Sequence, residues 1–148
     1  QQLEEFEQPF LKSTLHTEVR ATTSQVTRIT SVSPLLVGRG FARSIVATLN
    51  GRSVSIGDMV YYQDDSGALK VGEIAYHFRD MESDADCCTT CIYAWQITSI
   101  GTQVDQCTPL NIELHIRGTH VIDPAIRFTS GNDTRLIVPV AVRSMRSL

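Results

Sequence analysis

The sequence predicts an all-β domain, a small distorted barrel or sandwich of about seven to nine short strands preceded by a short helical or extended segment. Three observations carry that expectation. Turn chemistry recurs between apolar runs, at Asn50-Gly51, Gly57-Asp58, Asp64-Asp65-Ser66-Gly67 and Ser130-Gly131-Asn132-Asp133. Residues 59–78 and 110–117 alternate with a period of two. The runs between turns are rich in β-branched and aromatic residues, and they contain almost no helical periodicity.

Size and composition agree. The chain has 148 residues, of which 42% are hydrophobic, enough for one domain with a real core and too many for a disordered segment. No apolar run approaches the ~20 residues of a membrane span, so a membrane is not among the expected partners. We divide the chain into residues 1–20, a linker or short helix, and residues 21–148, a single β domain.

Taken in order, Leu3, Phe6, Phe10 and Leu11 suggest a short amphipathic turn interrupted by Pro9, with the phenylalanines free to pack back on the domain. Ala21 to Val32 is dense in Thr, Ser, Val and Ile and reads as an extended edge strand ended by Pro34. Gly38-Arg39-Gly40 lacks the third glycine and the strand-to-helix setting of a dinucleotide site, so it is a turn. Phe41–Leu49 and Arg52–Ile56 flank Asn50-Gly51, two residues that accept positive φ, and predict a hairpin.

Met59 to Gln63 and Leu69 to Phe78 are the central strands, and Gly72 marks a bend or bulge. Arg79 to Thr90 is an acidic loop without the carboxylate offsets of a calcium site. Cys91–Ile100 is a strand, Thr102–Pro109 a loop, and Leu110–Ile122 a strand broken at Gly118. Arg135–Val142 closes the chain as a strand that Pro139 confines to an edge or a bulge.

Charge is unevenly spread. Net charge is -3, yet from Arg20 to Gly57 there are five arginines and no acid, whereas Asp58 to Ile116 holds ten acids against Lys70 and Arg79. Two readings follow. The halves neutralise each other inside one fold, or Arg28, Arg39, Arg43 and Arg52 form a basic face for nucleic acid, since the guanidinium fork suits phosphate.

The four cysteines read three ways. They stay reduced, they pair as disulfides, or Cys88-x-x-Cys91 with Cys107 and either His115 or His77 binds zinc, a spacing compatible with a knuckle but without a second CxxC. No nucleophile elbow, phosphate loop or HExxH is present, and the four histidines are scattered. The sequence therefore predicts a non-enzymatic protein without an obligatory cofactor. Tyr61, Tyr76, Tyr93 and Trp95, together with Tyr62 and Phe78, fall on three consecutive predicted strands. They either pack in the core or surround a methylammonium group, since ring faces attract cations.

The stretch Ile56-Gly57-Asp58-Met59-Val60-Tyr61-Tyr62, then Gly67, then Val71-Gly72-Glu73-Ile74, resembles the opening of a BAH (bromo-adjacent homology) domain. Tyr93–Ile97 corresponds to that family's central strand, and Ile137–Val142 to its last strand. The run Gly57-Asp58-Met59-Val60-Tyr61-Tyr62 is also similar to the β-rich tails of some fungal transposon-derived proteins. Either resemblance implies a nuclear protein. It further implies a chromatin-type module that binds a peptide, such as a histone tail, through Tyr61, Tyr76, Tyr93 and Trp95 or through a sheet edge. The alternative is a zinc-stabilised DNA-binding domain built on the arginine-rich half.

Overall fold

The computed structural model describes residues 12–147, and within them the chain is mostly strand. The expected N-terminal turn at residues 3–11 lies outside the described residues. From Ser13 the chain is already part of a sheet. Strand β1 (Ser13–His16) pairs with β4 (Val46–Leu49), and β2 (Val19–Arg20) pairs with β3 (Phe41–Ser44). The folded unit therefore takes in residues assigned to a linker above.

Among the described residues, twelve strands form two antiparallel sheets. The smaller runs β1-β4-β5, with β5 at Arg52–Ser55. The β4–β5 turn is the expected hairpin, Asn50 and Gly51 both lying at positive φ (51° and 82°). The larger sheet contains β6 (Met59–Gln63), β7 (Leu69–Asp80), β8 (Thr89–Ser99) and β9 (Val104–Arg117). It is completed by β10 (Val121–Ala125), β11 (Arg127–Ser130) and β12 (Asp133–Ile137), in the order β10-β6-β7-β8-β9-β12-β11. The residues expected to be a loop before Pro109 are the first part of β9, where Val104–Cys107 pair with β12.

The larger sheet does not close into a barrel. Its terminal strands β10 and β11 are nonetheless separated in the chain by Ile126 alone, so the sheet coils until its ends adjoin. Arg127, the first residue of β11, donates to Gly57 O and to Glu73 across that seam.

Two segments are helical where strands were expected. Helix α1 (Thr23–Val32) replaces the edge strand. Thr22 accepts from the Gln25 amide and the Gln25 side chain accepts from the Thr22 amide, a capping box that outweighs the modest β preference of Thr, Val and Ile. Tertiary packing completes the choice, since Ile29 is wholly buried, a contribution of about 2 kcal/mol. Helix α2 (Val140–Arg146) replaces the end of the closing strand. Pro139, the expected strand breaker, occupies its N-cap and buries Val142 one turn later.

Strand β7 organises the core. Its first half pairs with β6 and its second half with β3, while β8 lies along its other side. The bulge expected at Gly72 sits at Ala75, between the pairs Ile74–Ile92 and Tyr76–Cys91. Gly72 serves a different purpose: a Cβ there would meet Ile92 Cδ1 at 2.7 Å and Tyr93 O at 3.2 Å. The bulge turns Tyr76 and Phe78 onto the face of Val71, opposite Ile74.

Three apolar clusters result. The β1-β4-β5 sheet covers Val60, Tyr62, Ile74 and Ile92. The coil of the larger sheet encloses Met59, Tyr61, Val71, Cys107 and Leu136, closed by Val142 of α2. Helix α1 covers Phe41, Tyr76, Phe78 and Cys91.

Candidate functional site

The expected aromatic surface is not one surface. Tyr61, Val71 and Trp95 stand opposite one another on β6, β7 and β8, but Tyr61 is buried and Trp95 is half-buried in the coil. Tyr76 is buried under α1, and only Tyr93 is substantially exposed. The Tyr76–Tyr93 pair already holds a cation. The Arg28 guanidinium lies 4.8 Å from the Tyr76 ring centroid and 5.8 Å from that of Tyr93. It donates to the Tyr93 hydroxyl and to Glu113, and the Glu113 carboxylate holds it firmly protonated. Arg43 covers Tyr76 from another side at 5.3 Å. An incoming methylammonium would have to displace the protein's own side chains, which corrects the open-cage expectation.

The arginines follow the neutralising reading. Arg28 pairs with Glu113 and Arg39 with Asp80, joining the basic stretch of the sequence to the acidic one, and Arg52 pairs with Asp123 beyond it. Arg43 is spent on Tyr76. Phosphate contact through these four would first break those pairs, which disfavours them as a nucleic-acid face.

Cys88, Cys91, Cys107 and His115 do not converge. The three cysteines sit in three different apolar clusters. Cys91 faces His115 across the β8–β9 ladder, but the His115 Nδ1 is engaged with Ser33 Oγ at 2.6 Å. Both nitrogens of His77 are hydrogen-bonded, to Thr90 Oγ1 and Val54 O. Among the described residues no three His, Cys, Asp or Glu side chains cluster as metal ligands, so the expected knuckle is not assembled.

Burial raises the Cys91 thiol to about 12 and the Cys107 thiol to about 11, and raises Cys88 as well. These groups are thiols at neutral pH and poor nucleophiles. Cys87 is exposed. With a maleimide at pH 7.5, one thiol should react within seconds to minutes and three only after denaturation. Rapid loss of a second thiol would show that the apolar clusters are open.

One edge with unmet pairing capacity lies at β9. Its first residues pair with β12, but from Thr108 to Arg117 its outer edge has no strand partner among the described residues. Asn111 lies at φ 57°, and the register jumps from Trp95–Pro109 to Tyr93–Glu113, so the strand bulges there. The bulge leaves Leu110, Ile112 and Leu114 exposed.

Two grooves meet at Leu114. One, of about 480 Å³, includes the edge residues Leu114–Arg117 together with Leu35, Leu36 and Tyr62. The other, of about 490 Å³, is lined by Tyr62, Trp95, Ile97, Leu110, Ile112 and Leu114. Leu35, 96% exposed, extends the apolar surface. Sequence reasoning found Leu110, Ile112 and Leu114 as one face of a strand. It had no signal that the strand's far edge lacks a neighbour, because that depends on where β12 ends.

No helix among the described residues is long and apolar enough to cross a membrane. No family model matches the chain, and no curated protein matches it significantly.

Proposed function

We propose that this protein is a non-catalytic docking module that takes an extended, apolar peptide segment along the free edge of β9. The carrying observation is the coincidence of an unpaired strand edge with the two grooves that meet at Leu114. Backbone groups of the edge would pair with the incoming strand, and its alternate side chains would enter the grooves, the division of labour of strand addition. The BAH-like stretch favours a nuclear setting, but the apolar grooves fit an apolar strand better than a histone tail rich in lysine and arginine. The engaged Tyr76–Tyr93 pair moves the point of contact away from those two rings and onto the edge, where Tyr62 and Trp95 line the groove.

The test is selection of binders from a displayed random-peptide library, followed by amide hydrogen exchange on the complex. Selected peptides should be apolar at alternate positions and should slow exchange within residues 110–117. Leu114→Arg should weaken them at least about tenfold by placing an unpaired charge in the groove, while Val140→Arg on α2 leaves them unchanged. Affinity should vary little with salt, as phosphate binding does not. Protection confined to another face would refute the assignment.

A further inference from the structure

The free edge of β9 is complementary to itself. From Thr108 to Arg117 it has no strand partner among the described residues, and beyond the bulge at Asn111 it pairs residue for residue with β8, from Tyr93–Glu113 to Thr89–Arg117. Ile112, Leu114 and Ile116 alternate there with Glu113, His115 and Arg117. Lay an antiparallel copy against this edge about a two-fold axis at Leu114. Leu114 then meets Leu114, Ile112 meets Ile116, and each apolar side chain falls opposite an apolar one. Other axes fit less well. About Ile112 the bulge sits at the centre of the pairing, and Arg117 comes opposite Cys107, whose edge β12 already holds. About Ile116, Leu114 falls opposite Gly118, beyond the end of the strand.

The polar face agrees with the same axis. It sets Glu113 opposite His115. Both hydrogen bonds from Arg28 go to Glu113 Oε1, so Oε2 has no donor among the described residues. Ser33 engages His115 Nδ1, and His115 Nε2 has no partner. Each copy therefore brings an acceptor and a ring nitrogen that its own chain leaves unused. The charges lining the Leu114 groove, Lys70 and Arg117 against Asp64 and Asp65, cancel, so two copies approach without like-charge repulsion. The edge also lacks the usual defences against pairing. It carries no lysine, and Pro109 lies outside the stretch from Asn111 to Arg117.

We infer that the β9 edge pairs with the β9 edge of a second copy, antiparallel about Leu114, to join the two larger sheets into one. The inference deepens the docking function proposed above, because the second copy covers the edge that a peptide needs and so regulates its access. A contact built on two short strands belongs at the small end of protein interfaces, and the dimer should dissociate in the micromolar range.

The experiment is sedimentation of the full chain, kept reduced, from about 1 to 300 µM. The molar mass should double over that range, Val140→Arg should behave alike, and Leu114→Arg should remain monomeric. A monomer throughout, or a dimer indifferent to Leu114→Arg, overturns the inference. The register is tested with full-chain Cys87→Ser/Leu114→Cys and Cys87→Ser/Leu110→Cys, which lack the one exposed native thiol. Glutathione disulfide is the oxidant. Two introduced thiols lose their protons and form one intermolecular disulfide while the oxidant is reduced to two glutathiones. Linkage should be at least about tenfold faster at position 114, where the two side chains face each other, than at position 110. Equal rates, or a faster reaction at 110, overturn the register. If the chain stays monomeric while library-selected peptides protect residues 110–117, self-pairing fails and the docking function stands. If the chain dimerises through Leu114 and no peptide protects β9, the docking function fails and self-pairing stands.

Discussion

Replacing Arg146 by Ala should destabilise the protein by about 3–5 kcal/mol, the usual result of leaving one member of a buried ion pair without its partner. Asp105 is inaccessible to solvent, and Arg146 reaches it with two hydrogen bonds, at 2.9 and 2.6 Å. Tyr61 donates to the same carboxylate at 2.8 Å, and the Gly101 amide at 3.1 Å. Burial pushes the Asp105 carboxyl up, but the hydrogen bonds of Arg146 and Tyr61 outweigh it and hold the group below its ordinary value. Removing the guanidinium leaves that carboxylate to ionise inside the coil or to take up a proton, both costly at neutral pH.

Helix α2 is fixed to the coil by this pair and by Val142, so the loss should also free the helix. The melting temperature should fall by roughly 10 °C. In Asp105→Asn/Arg146→Met, where no charge is buried, most of the loss should return. A drop below about 1 kcal/mol in the single variant would mean that the pair is open to water.

Stability should also fall on mild acidification, before the carboxylates titrate. His77 is fully buried, and burial lowers its pKa from an ordinary 6.5 to about 4. The unfolded chain takes up this proton near pH 6.5 and the folded chain does not until about pH 4. The contribution is therefore complete above pH 6.5 and is lost as pH falls toward 4, at about 1.4 kcal/mol per unit, roughly 3 kcal/mol in all.

His115, also lowered by burial, adds a loss of the same sign. Asp80 and Glu18, lowered by hydrogen bonds from the Glu82 amide and Arg79 respectively, act only below their ordinary values near 4. Urea midpoints at pH 7.5, 6, 5 and 4.5 check the window, and the His77 ring resonances in NMR should not titrate above pH 5. A flat midpoint from 7.5 to 5 would place His77 in contact with water.

How far the sequence spoke depended on how local the cause was. The Asn50-Gly51 hairpin was legible because both of its residues are chosen for positive φ. The Ser130–Asp133 turn and the Asp64–Gly67 turn, in which Asp64 accepts from the Ser66 and Ala68 amides, were legible for similar reasons. Helix α1 had a local signal in Thr22 and Gln25, but the β-branched residues that follow pointed the other way.

The site was harder. Arg28, Tyr76, Tyr93 and Glu113 meet only because the Ala75 bulge turns Tyr76 over and α1 crosses above it. No spacing in the sequence encodes that meeting. The β9 edge is defined by the end of β12, a tertiary fact, although the alternation of residues 110–117 is visible in the sequence.

The seam at Ile126 bears on how fast the molecule assembles. One continuous run must register with β6 on one side and with β12 on the other, and β7, β8 and β9 separate β10 from β6 along the chain. Such distant pairing raises the contact order, so refolding should take milliseconds to seconds.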